Sequence, residues 1–296
     1  MEGIQLFRDV KDRGVVIRKR LACDTLTPVQ TYWSVVGDAQ GFLLESIPGS
    51  YSFIGRFTSP DVLTIHEDDD PWSKMPLQGS ILSFENGGLP PFIGGYVGYL
   101  GYDLVRGIER LPRPPLPSGF PDARLGRVDT LVVFDHLGQS VCLIHTIPEP
   151  GISEEKAETM AREAFSPIED SLFSKPHMPS AEVPRRCTIR DASLDEAGFI
   201  EAVDKARECI KDGEIIQTVL SRRLTLDAAC DPFDTYRRLR HINPSPYLFH
   251  IHFGDVTLVG SSPEVMVKLK GNTITSLPIA GTRPRGKSGE EDSLLA

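Results

Sequence analysis

Apolar positions along this chain recur at two spacings, and Pro and Gly mark the places where one spacing gives way to the other. Val15–Leu21 alternates weakly with period two and predicts a strand. After Thr27-Pro28, the residues Val29, Tyr32, Trp33 and Val36 recur at helical spacing, so a helix opens there with Pro in its first turn. Gly41–Ser46 and Tyr51–Phe57 are short apolar runs bounded by Pro and Gly, and they read as paired strands. Gly94–Gly101 reads as a Gly-rich turn region. Thr130–Phe134 and Gln139–Thr146 flank Asp135-His136-Leu137-Gly138 and predict a hairpin, and Ser153–Phe165 a charged helix.

Further along, Ser193 and Glu196 have the spacing of a capping box ahead of Phe199, Ile200, Val203, Ala206 and Ile210. Gly213 stands where a left-handed residue would end that helix. Glu214–Leu226 predicts one long strand. Asp231-Pro232 opens a helix that stops near Asn243-Pro244. Tyr247–Phe253, Val256–Gly260, Val265–Leu269 and Thr273–Leu277 then predict an antiparallel meander. Five prolines in Leu111–Pro121 make an extended connector, and Pro167, Pro176 and Pro179 make Ser166–Glu182 a linker. The expected organisation is therefore an N-terminal region over 1–165, a linker over 166–184, and a second region over 185–296.

The net charge of -9 argues against a nucleic-acid partner, because phosphate binding needs a basic face. It leaves room for a local basic pocket and a small anionic ligand. The five cysteines contain no C-x-x-C pair, which speaks against a disulfide framework or zinc site and for a reducing compartment. No apolar run reaches the roughly 18 residues of a membrane span, and the charged N-terminus has no signal-peptide core. A cytoplasmic protein without membrane contact is expected. Gly281–Ser288 ends in Gly-Lys-Ser but lacks the upstream Gly of a phosphate-binding loop.

Four segments carry candidate chemistry, each with a plainer reading. Glu45 and Ser46 put an acid and a hydroxyl at a strand end, as an ordinary turn also would. Asn243-Pro244-Ser245-Pro246-Tyr247 is a corner with two fixed φ angles. Glu264, after Gly260-Ser261-Ser262-Pro263, is either a surface glutamate or, in a dry site, a proton donor. In Pro278–Arg283 a Gly allows close backbone approach, Thr282 offers a hydroxyl, and Arg283 and Arg285 suit a carboxylate. The residues alone lead as far as a small anionic ligand and acid catalysis.

Taken in order, these segments resemble the chorismate-binding enzyme family, and within it the anthranilate synthase component I type. The markers are Leu43–Ser46 (LLES), Tyr51–Gly55 (YSFIG), Phe92–Asp103 (FIGGYVGYLGYD), Asp129–His136, Asp212–Arg223, Asn243–Phe249 (NPSPYLF), Gly260–Glu264 (GSSPE) and Pro278–Gly286 (PIAGTRPRG). The resemblance implies an α+β fold of two packed antiparallel sheets with flanking helices. It implies conversion of chorismate and ammonia to anthranilate and pyruvate, with Mg2+ as cofactor, a separate glutamine amidotransferase subunit as ammonia source, and feedback inhibition by L-tryptophan. It carries catalytic roles to Glu264 as general acid, Thr282 and Gln217, and substrate contacts to Gly281, Thr282 and Arg283. It carries tryptophan binding to Glu45, Ser46, Asn243, Pro244, Pro246, Tyr247 and Leu248.

Two positions choose among the family's members. Isochorismate-forming relatives carry a water-activating lysine where this chain has Gln217, and aminodeoxychorismate synthases often carry a nucleophilic lysine where it has Ala280. With neither lysine, ammonia is the expected nucleophile. Aminodeoxychorismate synthase component I and a non-catalytic tryptophan-sensing module are the competing readings. The family's magnesium-binding glutamates and catalytic histidine are expected beyond Ala296, so the catalytic domain is expected to be incomplete here and this chain inactive alone. The arginine that usually precedes the YSFIG motif is replaced by Ser50.

Overall fold

Short period-two runs broken by Gly, Pro and Asp form strands here, and the few 3.6-period runs form helices that cover them. The computed structural model describes residues 3–21, 25–46, 51–59, 62–67, 69–75, 82, 84, 88–111, 119–174, 187–228, 230–278 and 284–295. The first elements are β1 (Ile4–Arg8), β2 (Val15–Leu21), α1 (Pro28–Val35), β3 (Gly41–Glu45), β4 (Tyr51–Arg56) and β5 (Leu63–Ile65). Then come α2 (Pro71–Lys74), β6 (Gly95–Leu100), β7 (Ala123–Val128), β8 (Thr130–Asp135), β9 (Ser140–Ile147) and α3 (Glu154–Phe173). They are followed by β10 (Cys187–Ala192), α4 (Glu196–Lys211), β11 (Leu224–Ala228), α5 (Pro232–Ile242), β12 (Tyr247–His252), β13 (Thr257–Ser262), β14 (Lys268–Lys270), β15 (Thr273–Thr275) and α6 (Gly289–Leu295).

Contacts divide the chain into two units, 1–178 with 236–296, and 179–235. In the first, eight antiparallel strands run in the order β1-β2-β9-β8-β4-β3-β12-β13, and a separate sheet runs β5-β7-β6. The two sheets pack face to face. Phe42 and Leu131 from the larger one, with Phe57 and Phe253 just past the ends of its strands, meet Val97 and Val128 from the smaller in a single apolar cluster. Alternate residues of the same strands, among them Ile17, Leu43, Ile54, Val132 and Leu143, are buried on the opposite face, where α1 and α3 lie. Each such side chain contributes about 1.5–3 kcal/mol, so both faces of the large sheet are anchored. This is the expected α+β architecture of two packed antiparallel sheets with flanking helices.

Local signals read from sequence are met in several places. Thr27 caps α1 through its hydroxyl, with Pro28 in the first turn. Asp135 accepts a hydrogen bond from Gly138 N at 2.7 Å and closes the β8–β9 hairpin. Gly213, at φ 76, follows the last turn of α4.

Other expectations differ from what is found. The α4 cap is Asp195, which accepts from Gly198 N at 2.7 Å. Ser193 instead accepts from Arg223 N at 2.9 Å, because an acid nearer the first turn takes the capping position. The run 214–223, expected as strand, is not in a sheet; only Leu224–Ala228 pairs, with β10. A strand needs a partner for its backbone, and among the described residues β10 supplies one to β11 alone. The expected four-strand meander is two hairpins, β12–β13 at the edge of the large sheet and β14–β15 by itself. Gly94–Gly101 forms a strand over Gly95–Leu100. There Gly98 lies so close to β7 that a Cβ would stand 1.8 Å from Arg124 O, so glycine marks close approach and not a turn.

The helix expected over Ser153–Phe165 runs to Phe173, through Pro167 and past the start of the 166–184 linker. Pro167 removes one helical hydrogen bond, but Ala157, Ala161, Phe165 and Leu172 keep one face buried across it. The connector residues 112–118 and the linker residues 175–186 lie outside the described residues. Residues 236–296, placed by sequence with the second region, group with the first, because β12 pairs with β3.

Candidate functional site

β3 and β12 are far apart in sequence and adjacent in the large sheet, and this adjacency builds one wall of a cavity. Leu44 pairs with Phe249 and Glu45 with Leu248. Because side chains alternate across a strand, Leu44 and Ser46 share one face with Phe249 and Ile251, while Glu45 points to the other. On the first face is a cavity of about 820 Å³ between the two sheets. Its wall is aromatic: Phe53 meets Phe92 edge-on at 5.7 Å and stacks with Tyr51 at 6.0 Å, while Tyr96 and Tyr99 of β6 line the opposite side. Among the described residues the polar groups at this wall are few, chiefly Ser46, the tyrosine hydroxyls and Lys268.

The corner after α5 closes one end. Ser261 Oγ donates to Asn243 O at 2.7 Å, and Ser245 Oγ donates to Ser262 O. These bonds tie the corner to β13, so that Pro246, Tyr247 and Leu248 line the cavity. Asn243 and Pro244 are exposed and do not line it, since the chain turns toward the cavity only after Ser245.

On the other face of β3, Glu45 is almost wholly buried and faces α5. Its Oε2 accepts from Arg240 Nε at 2.9 Å and from the Tyr236 hydroxyl, and its Oε1 accepts from Arg240 Nη2 at 3.2 Å. Burial and the adjacent Glu45 carboxylate push the Tyr236 phenol well above the ordinary range, so it stays a donor. Tyr236 and Arg240 stand one helical turn apart on α5 and clamp one carboxylate together. Neither carries a motif signal; their i, i+4 spacing is the trace they leave in the sequence.

Of the expected catalytic residues, Glu264 belongs to the first unit and Gln217 to the second. Glu264 is exposed in the turn after β13, where its backbone bonds the Ser262 hydroxyl. Gln217 is exposed in the second unit. Ala280, Gly281, Thr282 and Arg283 lie outside the described residues. Among the described residues, no group of three His, Cys, Asp or Glu side chains is arranged to hold a metal ion. No helix among them is long and apolar enough to cross a membrane.

A second cavity, about 300 Å³, lies between the large sheet and α3. His145 lines it, its Nδ1 2.8 Å from Thr130 Oγ1 and its ring edge-on to Phe165 at 6.3 Å. Burial holds this imidazole below its ordinary range, against a smaller opposing pull from Asp129.

A family model described as chorismate binding enzyme matches residues 40–296. The chain is 37% identical over 295 residues to anthranilate synthase component 1 of Thermus thermophilus, covering 94% of this chain and 62% of that protein. It is 36% identical over 302 residues to the protein of the same name in Streptomyces coelicolor, covering 95% and 57%. The chain thus spans about 60% of the length of these curated relatives. Anthranilate synthase component I from Streptococcus pneumoniae superposes with a TM-score of 0.61 at 27% identity, over 78% of this chain and 54% of that one. The menaquinone-specific isochorismate synthase from Escherichia coli, at 14% identity and TM-score 0.52 over 100% of this chain and 58% of that one, shares the fold.

Proposed function

This chain belongs to the chorismate-binding enzyme family, and we propose that it is the tryptophan-binding part of the chorismate-using component of an anthranilate synthase. In the complete enzyme ammonia from a glutamine amidotransferase partner adds at ring C2 of chorismate as the C4 hydroxyl leaves with a proton, water in sum. Loss of pyruvate then leaves anthranilate. Glu264 is the proposed proton donor, Thr282, Gly281 and Arg283 the proposed substrate contacts, and Mg2+ the proposed cofactor. Gln217 and Ala280 support ammonia as the nucleophile, since an amide and a methyl group supply neither a general base nor an amine.

The observation that carries the regulatory half is the aromatic cavity bounded by Ser46 at the end of β3 and Pro246–Leu248 at the start of β12. An indole needs an apolar wall and a few placed polar groups, and this cavity offers both. L-Tryptophan is the proposed effector.

A second reading, a tryptophan-sensing module without catalysis, is favoured by the exposure of Glu264 and Gln217. A proton donor works best where water is excluded and its pKa is raised. Two measurements on the 296-residue protein test the effector site and the expected inactivity, and anthranilate formation by the complete enzyme separates the two readings. Tryptophan binding together with no anthranilate from chorismate, ammonium and Mg2+ is the expected result. Magnesium-dependent anthranilate formation would overturn the expected inactivity of these residues alone. Absence of tryptophan binding would overturn the effector site, and a para-amino product from the complete enzyme would overturn the choice of reaction.

A further inference from the structure

The polar groups around the large cavity are arranged for a carboxylate rather than an ammonium. Glu45, the one acid among the described residues at its wall, has its side chain on the opposite face of β3, only 1% exposed and satisfied by three donors from Arg240 and Tyr236. A carboxylate so paired has little negative potential left for a ligand cation. On the cavity side the balance is reversed. Lys268, the first residue of β14, is the only Lys, Arg or His among the described residues that line it. It is exposed, and it forms no ion pair with another described residue. The rest of the described wall is aromatic and aliphatic apart from hydroxyls.

We infer that Lys268 is the carboxylate anchor of this cavity, and that the cavity selects aromatic carboxylates, taking the ring between the sheets and the acid group at the Lys268 ammonium. The α-ammonium of an amino acid is left to the Ser46 hydroxyl and water and adds little to affinity. This rests on the tryptophan reading only for the choice of indole as the ring. The side chain is solvent-exposed on a two-stranded hairpin, so replacing it does not disturb the core.

The test is calorimetric titration of the 296-residue protein with L-tryptophan, indole-3-propionate (acid without ammonium) and tryptamine (ammonium without acid). The two acids are expected to bind within about tenfold of each other, and tryptamine about tenfold or more weaker. Lys268→Met is expected to weaken both acids about tenfold, the scale of one partly exposed charge-assisted contact, and to leave tryptamine unchanged. Lys268→Arg should restore most of the loss. If tryptophan binds but Lys268→Met leaves its affinity intact, or tryptamine binds as well as tryptophan, the anchor is overturned and the tryptophan reading stands. If the unmodified protein binds tryptophan neither strongly nor weakly, the tryptophan reading falls. Indole-3-propionate binding that depends on Lys268 would then still support the anchor, and no binding of either acid would overturn both.

Discussion

Glu45 and Arg240, 195 positions apart in the chain, meet as a two-pronged ion pair with N–O separations of 2.9 and 3.2 Å. The carboxylate is buried and the guanidinium about one-third exposed, so the pair holds α5 against the end of β3 beneath the cavity floor. Removing one partner of a buried pair leaves an uncompensated charge, which costs about 3–5 kcal/mol. Arg240→Met is expected to fall at or just below the lower end, about 3 kcal/mol, because Tyr236 still donates to the carboxylate. Urea unfolding checks this. The double variant with Glu45→Gln should recover part of the loss, and a cost under about 1 kcal/mol for Arg240→Met would show the clamp to be incidental.

Ser46→Phe and Pro246→Ser each alter a residue lining the cavity while sparing the clamp. Ser46→Phe fills space and Pro246→Ser loosens the corner. Both are expected to weaken tryptophan binding by about tenfold or more, roughly 1.4 kcal/mol, with near-native unfolding curves. Unaltered affinity in both variants would remove the cavity as the tryptophan site.

His145 sets a pH dependence. Its folded-state pKa lies below the ordinary value because burial disfavours the charged ring. As pH falls through about 6.5, the unfolded chain takes up the proton first. The stability that the neutral imidazole permits is therefore present above that pH and is lost progressively below it. His145→Gln should flatten the decline between pH 7.5 and pH 5, followed by denaturant midpoints. An equally steep decline in the variant would assign the effect to other groups.

Gly98 is required by the distance between β6 and β7. A Cβ there would stand 1.8 Å from Arg124 O, a backbone atom that cannot swing aside. Gly98→Ala is expected to cost about 2 kcal/mol or more through overpacking, and to weaken the cavity wall that carries Tyr96 and Tyr99. A thermal midpoint within about 2 °C of the unmodified protein would contradict the close approach.

By itself the sequence determined the strands and helices whose signals are local. The Thr27-Pro28 helix start, the Asp135–Gly138 turn and the stop at Gly213 depend on residues a few positions apart, so pattern reading reached them. The ordered motifs likewise pointed to the LLES strand and the NPSPY corner as parts of one pocket. Only the tertiary structure decided what lies between them. The pairing of β3 with β12 turns Leu44 and Ser46 toward the cavity and Glu45 away from it, and this alternation makes Glu45 a partner of Arg240 rather than a free acid at the wall. Lys268 and the β6 tyrosines reach the cavity by packing of separate elements, which no periodicity announces. The run 214–223 shows the converse: its apolar spacing favours a strand, but a strand exists only where another backbone accepts its hydrogen bonds, and that partner is a property of the fold and not of the segment.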